Sequence, residues 1–386
     1  CPGLRIIKDC RVHALRAWLA LIHTPGLGSR RFLRLWEQLP DAEGILSAPV
    51  ALWREAGLNA DSIAALRQPD QARIDNTLTW LAEAGRALIA YDDARYPDTL
   101  RAMSDPPLAL FVMGNIELLH HPSLAIVGTR HPTPGGAQNA RAFARDLAGR
   151  GVCIASGLAQ GIDAEAHHGA LEAQGYTLAV VGTGIDRVYP AQHRELAHAI
   201  VNQAGLIVSE LPLGTPPQPG HFPRRNRIMA ALSLGTLVVE AAPKSGSLIT
   251  ARLASELGRE VFAIPGSIHN PMARGCHHLI RQGAKLVESS ADILEELAAQ
   301  LQTHLARADV APVASTSSVL PELPEDHARV LEAMGYDPVS VDTLVERSGL
   351  TAAEVSSILL ITQLQGHVSP LAGGLYTRLP PPVTQD

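Results

Sequence analysis

Three arginines and an asparagine occupy consecutive positions in "HFPRRNRIMAALS" (221–233): Arg224, Arg225, Asn226 and Arg227. Arginine is a planar, permanently charged donor suited to phosphate oxygens. Pro223 fits the first turn of a helix, which puts the cluster within about 1.5 turns of that helix's start. Cations there oppose the helix dipole, so the cluster needs a bound anion or carboxylate partners. Two arrangements meet the need: a phosphate-bearing ligand, or internal pairing of Arg225 or Arg227 with Glu240 or Glu210. Phe222, one of five phenylalanines, is either a lid on the core or a platform on which a base stacks.

A second set of residues points to the same chemistry. Apolar runs end in Gly128-Thr129-Arg130, in the stretch from Ser156-Gly157 through Gly161 to Asp163, in Gly182-Thr183-Gly184, and in Pro243-Lys244-Ser245-Gly246-Ser247. Glycine lets backbone approach a ligand closely, and several of these turns lead into a helix N-terminus, where free N–H groups favour an anion. Any one such turn is ordinary in an α/β protein. Four on one edge of one sheet predict a phosphate-binding surface, with Arg130 as a direct contact. The first turn is not G-x-G-x-x-G, and Ala155-Ser156-Gly157 stands where a dinucleotide site places an acid. "PKSGSLIT" lacks P-loop spacing. Neither NAD chemistry nor triphosphate hydrolysis is encoded, and no cofactor is expected.

The elements that must position these residues alternate regularly. Short β-rich runs fall at Leu124–Val127, Val152–Ala155, Thr177–Val181, Leu206–Ser209, Thr236–Glu240 and Glu260–Ile264, with Ala87–Tyr91 and Leu108–Val112 ahead of them. Helical segments between them stop at Gly151, Gly175, Gly205, Gly235, Gly258 and Gly283, read as left-handed caps. Continuous apolar strands alternating with helices mean a parallel sheet covered on both faces. The fold class is therefore α/β: an extended Rossmann-type parallel sheet at 85–298, an N-terminal helical domain (SAM or helix-hairpin-helix-like) at 10–80, a linker at 299–324, and a winged-helix domain at 325–380. The last rests on three glycine-terminated helices and a hairpin turning at Gly373-Gly374, with Thr351 and Glu354 spaced as a capping box. In the first, "TPGLGSR" (24–30) reads as a glycine hairpin between helices. With Arg30, Arg31 and Arg34 following, it is either an auxiliary DNA contact or a plain connector. Residues 1–9 show no pattern that asks for structure.

Bulk numbers agree with a globular chain of several domains. It has 386 residues, 46% hydrophobic, 18% charged and 4% aromatic, with no apolar run of the roughly 18 residues a membrane span needs and no signal-peptide pattern. Cys1, Cys10, Cys153 and Cys276 show no paired spacing, which suits a reducing cytoplasm without disulfides or zinc. The net charge of −6 hides an asymmetry. Residues 121–290 hold 15 Lys and Arg against 11 Asp and Glu, whereas 291–386 hold 4 against 13. Residues 321–386 hold 3 against 9, so phosphate repulsion argues against duplex binding by the winged helix and for a protein-contacting or regulatory role.

"AIVGTR", "SGLAQGIDAEAHHGALEAQG", "VVGTGIDRVYPAQH", "FPRRNRIMAALS", "VVEAAPKSGSLITARLASELGREVFAIPG" and "GCHHLIRQGAK" together resemble the DNA-processing protein A family (DprA, also called Smf), in order from Gly85 to Lys285. The resemblance implies a non-catalytic protein that binds and protects single-stranded DNA during natural transformation, loads the RecA recombinase onto it, and dimerises through its Rossmann domain. Carried onto this chain, the family's phosphate pocket falls on Gly128, Thr129, Arg130, Ser156, Gly157, Gly161, Phe222, Arg224, Asn226, Arg227 and the turn Ser245-Gly246-Ser247. Many members carry a lysine shortly before His-Phe-Pro; here Pro219 and Gly220 stand there, so its share of the binding is either absent or supplied by Arg225. His277 and His278 also depart from the family pattern.

The rival reading is a nucleotide-cleaving phosphoribohydrolase on the same sheet, with Glu240 as candidate acid. Its P-G-G-x-G-T-x-x-E signature is missing, since Ala241-Ala242-Pro243-Lys244-Ser245-Gly246-Ser247 replaces it. Metal binding is weaker still. His167-His168 and His277-His278 are adjacent pairs that diverge on a helix, and His168 with Glu172 lacks a second ligand pair. These histidines read as solvated or capping.

Overall fold

Residues 2–305 and 324–379 are described by a computed structural model; residue 1, most of the expected linker (306–323) and residues 380–386 lie outside them. Helices come first, at Pro2–His23, Ser29–Trp36, Ala42–Ser47, Val50–Glu55, Ala60–Arg67 and Gln71–Leu81. The first thus begins inside the stretch from which no structure was expected. The glycine hairpin lies where predicted. Gly26 sits at φ 74°, Arg31 Nη1 donates to its carbonyl at 2.6 Å, and Ser62 Oγ donates to Pro25 O at 2.6 Å. Trp18, Phe32 and Trp36 cluster with ring centroids 5.4–5.6 Å apart, and Phe32 meets Tyr91 edge-on at 5.4 Å.

Nine strands follow: β1 (Arg86–Ala90), β2 (Ala109–Gly114), β3 (Ser123–Val127), β4 (Cys153–Ser156), β5 (Thr177–Val180), β6 (Leu206–Ser209), β7 (Gly235–Val238), β8 (Glu260–Ala263) and β9 (Lys285–Leu286). They form one sheet in the order β1-β2-β6-β5-β4-β3-β7-β8-β9. From β6 to β9 every pairing is parallel. The two leading strands depart from the parallel expectation: β2 runs antiparallel to β6, and β1 antiparallel to β2. Residues 91–108, which include the helix Asp98–Arg101, join β1 to β2 along one edge without the crossover that parallel strands need. β9 was not foreseen, because two residues show no period.

The alternation of β3 shows why both faces are covered. Leu124 and Ile126 join a core with Ala140, Ala144, Leu147, Ile162 and Ala166. These come from the helices Pro134–Gly149 and Ile162–Glu172. Ala125 and Val127 face Ile228, Met229 and Ala251, from the helices His221–Leu232 and Ser247–Glu256. Each leucine or isoleucine buried this way contributes about 1.5–3 kcal/mol. The glycine caps are only partly as read. Gly151, Gly258 and Gly283 have positive φ, but Gln174 and Ala204 take the left-handed position ahead of Gly175 and Gly205. Those two glycines are needed for close packing instead: an added Cβ would lie 2.8 Å from Ala148 O and 2.7 Å from Thr177 O, respectively. Gly235 starts β7 and caps nothing.

The C-terminal helices Glu325–Met334, Val341–Ser348 and Ala352–Leu364 pack on a small sheet of β10 (Val339–Ser340), β12 (Leu375–Arg378) and β11 (Val368–Leu371). The wing turns at Gly373 and Gly374, both with positive φ. Thr351 Oγ1 accepts from Glu354 N at 3.3 Å and Glu354 Oε2 accepts from Thr351 N at 2.8 Å, completing the capping box. Among the described residues no helix is long and apolar enough to cross a membrane.

Candidate nucleic-acid interface

The sheet reverses its strand order at β3 and β7, and ligands of such sheets sit in the crevice at that point. Here the crevice is a cavity of about 510 Å³. Gly128, Arg130, Phe222, Asn226, Ser245, Gly246 and Ser247 line it; Thr129, Ser156, Gly157, Gly161, Arg224 and Arg227 do not.

One wall is aromatic and cationic. Arg130 is exposed, has no ion pair among the described residues, and holds its guanidinium carbon 5.7 Å from the Phe222 ring centroid. Tyr189 extends this column, its ring 5.5 Å from Phe222 at 39°. The opposite wall is the turn before the helix Ser247–Glu256. Ser245 and Ser247 share a hydroxyl–hydroxyl bond of 2.7 Å. The helix has Gly246 at its N-cap and no side-chain cap; Leu248 N and Ile249 N bond within the turn, to Ser245 O at 3.2 Å and Gly246 O at 3.1 Å, which leaves the paired serine hydroxyls as the turn's groups for a ligand.

The Arg130 turn is fixed from behind. Thr129 N donates to Glu240 O at 2.8 Å and Ile162 N to Thr129 O at 3.2 Å. Gly161 is the residue that permits this. At φ 76°, ψ −127° it adopts a conformation reserved for glycine, and an added Cβ would lie 2.5 Å from Thr129 O and 2.7 Å from Arg130 O. Ser156 is fully buried and donates to Ile126 O at 2.7 Å, tying β4 to β3. Thr129, Ser156 and Gly161 therefore shape the crevice without facing it.

The arginine cluster resolves into three different situations. Arg227, 5% exposed, pairs with Glu210 and lies 3.3 Å from Asp105. Arg224 is exposed and approaches Glu210 at 3.1 Å. Internal pairing with Glu210 thus engages Arg227 Nη2, while its buried Nε and Nη1 have no hydrogen-bond partner among the described residues; the direct phosphate contact expected of it does not fit its place beneath the surface. Burial pushes Glu210 above the ordinary carboxylate range, with Arg227 and Arg224 pulling it back. Arg225 is the guanidinium that reaches the cavity floor. Its Nη1 donates to Gly157 O at 2.6 Å and to Val180 O, and its Nε donates to Asn226 Oδ1 at 2.8 Å. Its Nη2 lies 3.8 Å from Asp163 Oδ2. Gly157 lies directly against this guanidinium, which an added Cβ would strike. Burial raises the Asp163 carboxyl and lowers the Arg225 guanidinium, each opposed by the other's charge.

Asp163 and Tyr189 are not among the site residues the sequence offers, and Arg225 enters there only as a stand-in for the missing lysine. Arg225 was legible only as one of three adjacent arginines, since helical phase alone does not say which faces the sheet. Glu240, the rival's acid, instead holds Thr133, the N-cap of the helix Pro134–Gly149, accepting from Thr133 N at 2.9 Å and Thr133 Oγ1 at 2.6 Å; it does not line the cavity. His167 is neither solvated nor a cap. It is fully buried, bonded through Nδ1 to Thr177 Oγ1 at 2.7 Å. His277 Nε2 meets Gly266 O at 2.9 Å. Cys153 and Cys276 are buried free thiols.

Comparison with known proteins places this architecture. The family described as DNA recombination-mediator protein A matches residues 87–298, and the DprA winged helix domain matches residues 314–374. Protein Smf of Escherichia coli is 44% identical over 310 residues, covering 79% of this chain and 81% of that protein. The structure of DNA processing protein A from Streptococcus pneumoniae superposes with a TM-score of 0.65 at 36% identity, covering 73% of this chain and 97% of that one. The protein of the same name from Helicobacter pylori, for which a single-stranded DNA binding mode is described, gives 0.51 at 31%, covering 56% and 96%. This chain belongs to the DNA recombination-mediator protein A (DprA/Smf) family.

Proposed function

We propose that this chain binds and protects single-stranded DNA, largely without sequence preference, and loads the RecA recombinase onto it in natural transformation and recombination. It acts as a cytoplasmic homodimer joined through its Rossmann domain. The observation that carries the reading is the unpaired Arg130 guanidinium beside the Phe222 and Tyr189 rings, across the crevice from the uncapped turn Ser245-Gly246-Ser247. A strand laid there has cations and hydroxyls for its phosphates and rings for its bases, and stacking on rings tolerates any base. The single-stranded DNA binding mode described for the Helicobacter pylori protein supports the same ligand. Arg130 and the turn Ser245-Gly246-Ser247 hold phosphate, Asn226 adds a side-chain amide, and exposed Arg224 lies beside Glu210.

The same reading makes the chain a binding protein and no enzyme, because Glu240 is committed to Thr133. Incubation with nucleoside monophosphates should release no free base. Filter binding should favour single-stranded over duplex DNA. With about three phosphates held per protomer, log affinity should fall against log salt with a slope near −2, and Arg130→Ala should reduce both affinity and slope, the latter by about 0.7. A RecA-loading assay run beside it should lose activity in step. An unchanged slope in Arg130→Ala contradicts the assignment.

A further inference from the structure

The third helix of the C-terminal module, Ala352–Leu364, carries large apolar residues on its outer side as well as its inner one. One side, with Val355, Ile358 and Leu359, is buried. The other leaves Leu360 58%, Ile361 38% and Leu364 81% exposed. These three fall within about 100° of one another around the helix, a continuous stripe. Large apolar side chains gathered and exposed in this way mark an interaction surface.

The charges nearby say what kind of partner fits. Residues 324–379 carry three arginines, no lysine and seven carboxylates, and the helix 352–364 has no cation at all. Each arginine is turned onto a backbone carbonyl of its own module. Arg329 Nη2 donates to Ser348 O at 2.7 Å, Arg347 Nη1 to Ala333 O at 3.4 Å, and Arg378 Nη1 to Leu331 O at 3.1 Å. All three acceptors lie in the last turns of helices, where cations are favoured. Nucleic acid approaching this module would meet carboxylates and committed arginines.

We infer that the stripe Leu360, Ile361, Leu364 docks a protein partner through a cationic amphipathic helix. Apolar residues of that helix cover the stripe, and lysines or arginines along its flanks face the module's carboxylates. Helix-on-helix docking of this kind is read through side chains at i, i+3 and i+4 spacing.

The test uses the full chain and a fluorescein-labelled 18-residue helical peptide, with leucines at three- and four-residue spacing and lysines elsewhere, followed by anisotropy. Binding should saturate at one peptide per chain. It should weaken at least tenfold when Leu360→Ser and Leu364→Ser are combined, and as much when the peptide's lysines become glutamates. Both leucines are exposed, so the variant should keep its circular dichroism and its affinity for oligothymidylate. Equal peptide binding by both chains, or tight binding of the glutamate peptide, overturns the inference. So does loss of oligothymidylate or duplex binding in the double variant, which would make nucleic acid the occupant. Self-association that the substitutions abolish, measured by sedimentation, would make a second copy the occupant and overturn it equally.

Discussion

Replacing Arg225 with methionine tests how the cavity floor is built. Methionine retains much of the stem but withdraws the donors to Gly157 O and Val180 O and leaves Asp163, 6% exposed, without its counter-charge. Removing one partner of a buried ion pair costs about 3–5 kcal/mol, chiefly because the other charge stays behind. Burial already holds the Asp163 carboxyl above the ordinary range, so it can take up a proton, and the loss should lie near the lower end, about 3 kcal/mol. Asp163→Asn added to this background removes the orphaned charge, so the double variant should regain about 1–2 kcal/mol, within the coupling seen for residues in contact. Hydrogen exchange of the β3, β4 and β5 amides, read by mass spectrometry, reports this region apart from the helical and winged modules. A loss below about 1 kcal/mol, well under the buried-pair range, or a double variant worse than the single one, would refute the view that Arg225 and Asp163 hold the turn after β4 together.

Two further outcomes follow from the geometry. Gly161→Ala forces a Cβ against Thr129 O at a backbone conformation that costs about 1–3 kcal/mol for other residues; both the thermal midpoint and single-strand affinity should fall, because the Arg130 turn rests on that contact. His167 is held neutral by burial, its pKa lowered to about 3 from an ordinary 6.5. Stability is therefore intact above pH 6.5 and falls as the pH drops from 6.5 towards 3, by about 1.4 kcal/mol per unit, because only the unfolded chain takes up the proton. The Thr177 hydroxyl donates to Ile154 O, so Nδ1 carries the imidazole proton and Nε2 is left unpartnered. His167→Gln should flatten the acid limb of a urea-midpoint profile, and an unchanged limb would count against this assignment.

The parallel core was legible because its strands are buried on both faces and so read as unbroken apolar runs, each within two residues of its observed place. The antiparallel edge was not, since β1 and β2 look the same in one dimension whichever way they run. The capping box and the glycine wing could be read because each depends on side chains a few residues apart. The arginine cluster marks the limit. Its need for carboxylates was visible in the sequence, and Glu210 was among the candidates, but the partnership of Arg225 with Asp163 joins residues from different crossovers. Which arginine faces the crevice depends on how the helix 221–232 is rotated against the sheet. Tyr189 reaches Phe222 only because the turn after β5 folds over the crevice.

The most direct measurement is a crystal structure with bound oligothymidylate. Consecutive phosphates should lie against Arg130 and the turn Ser245-Gly246-Ser247, with a base on Phe222 or Tyr189. A strand bound elsewhere on the protein, with this crevice empty, would contradict it.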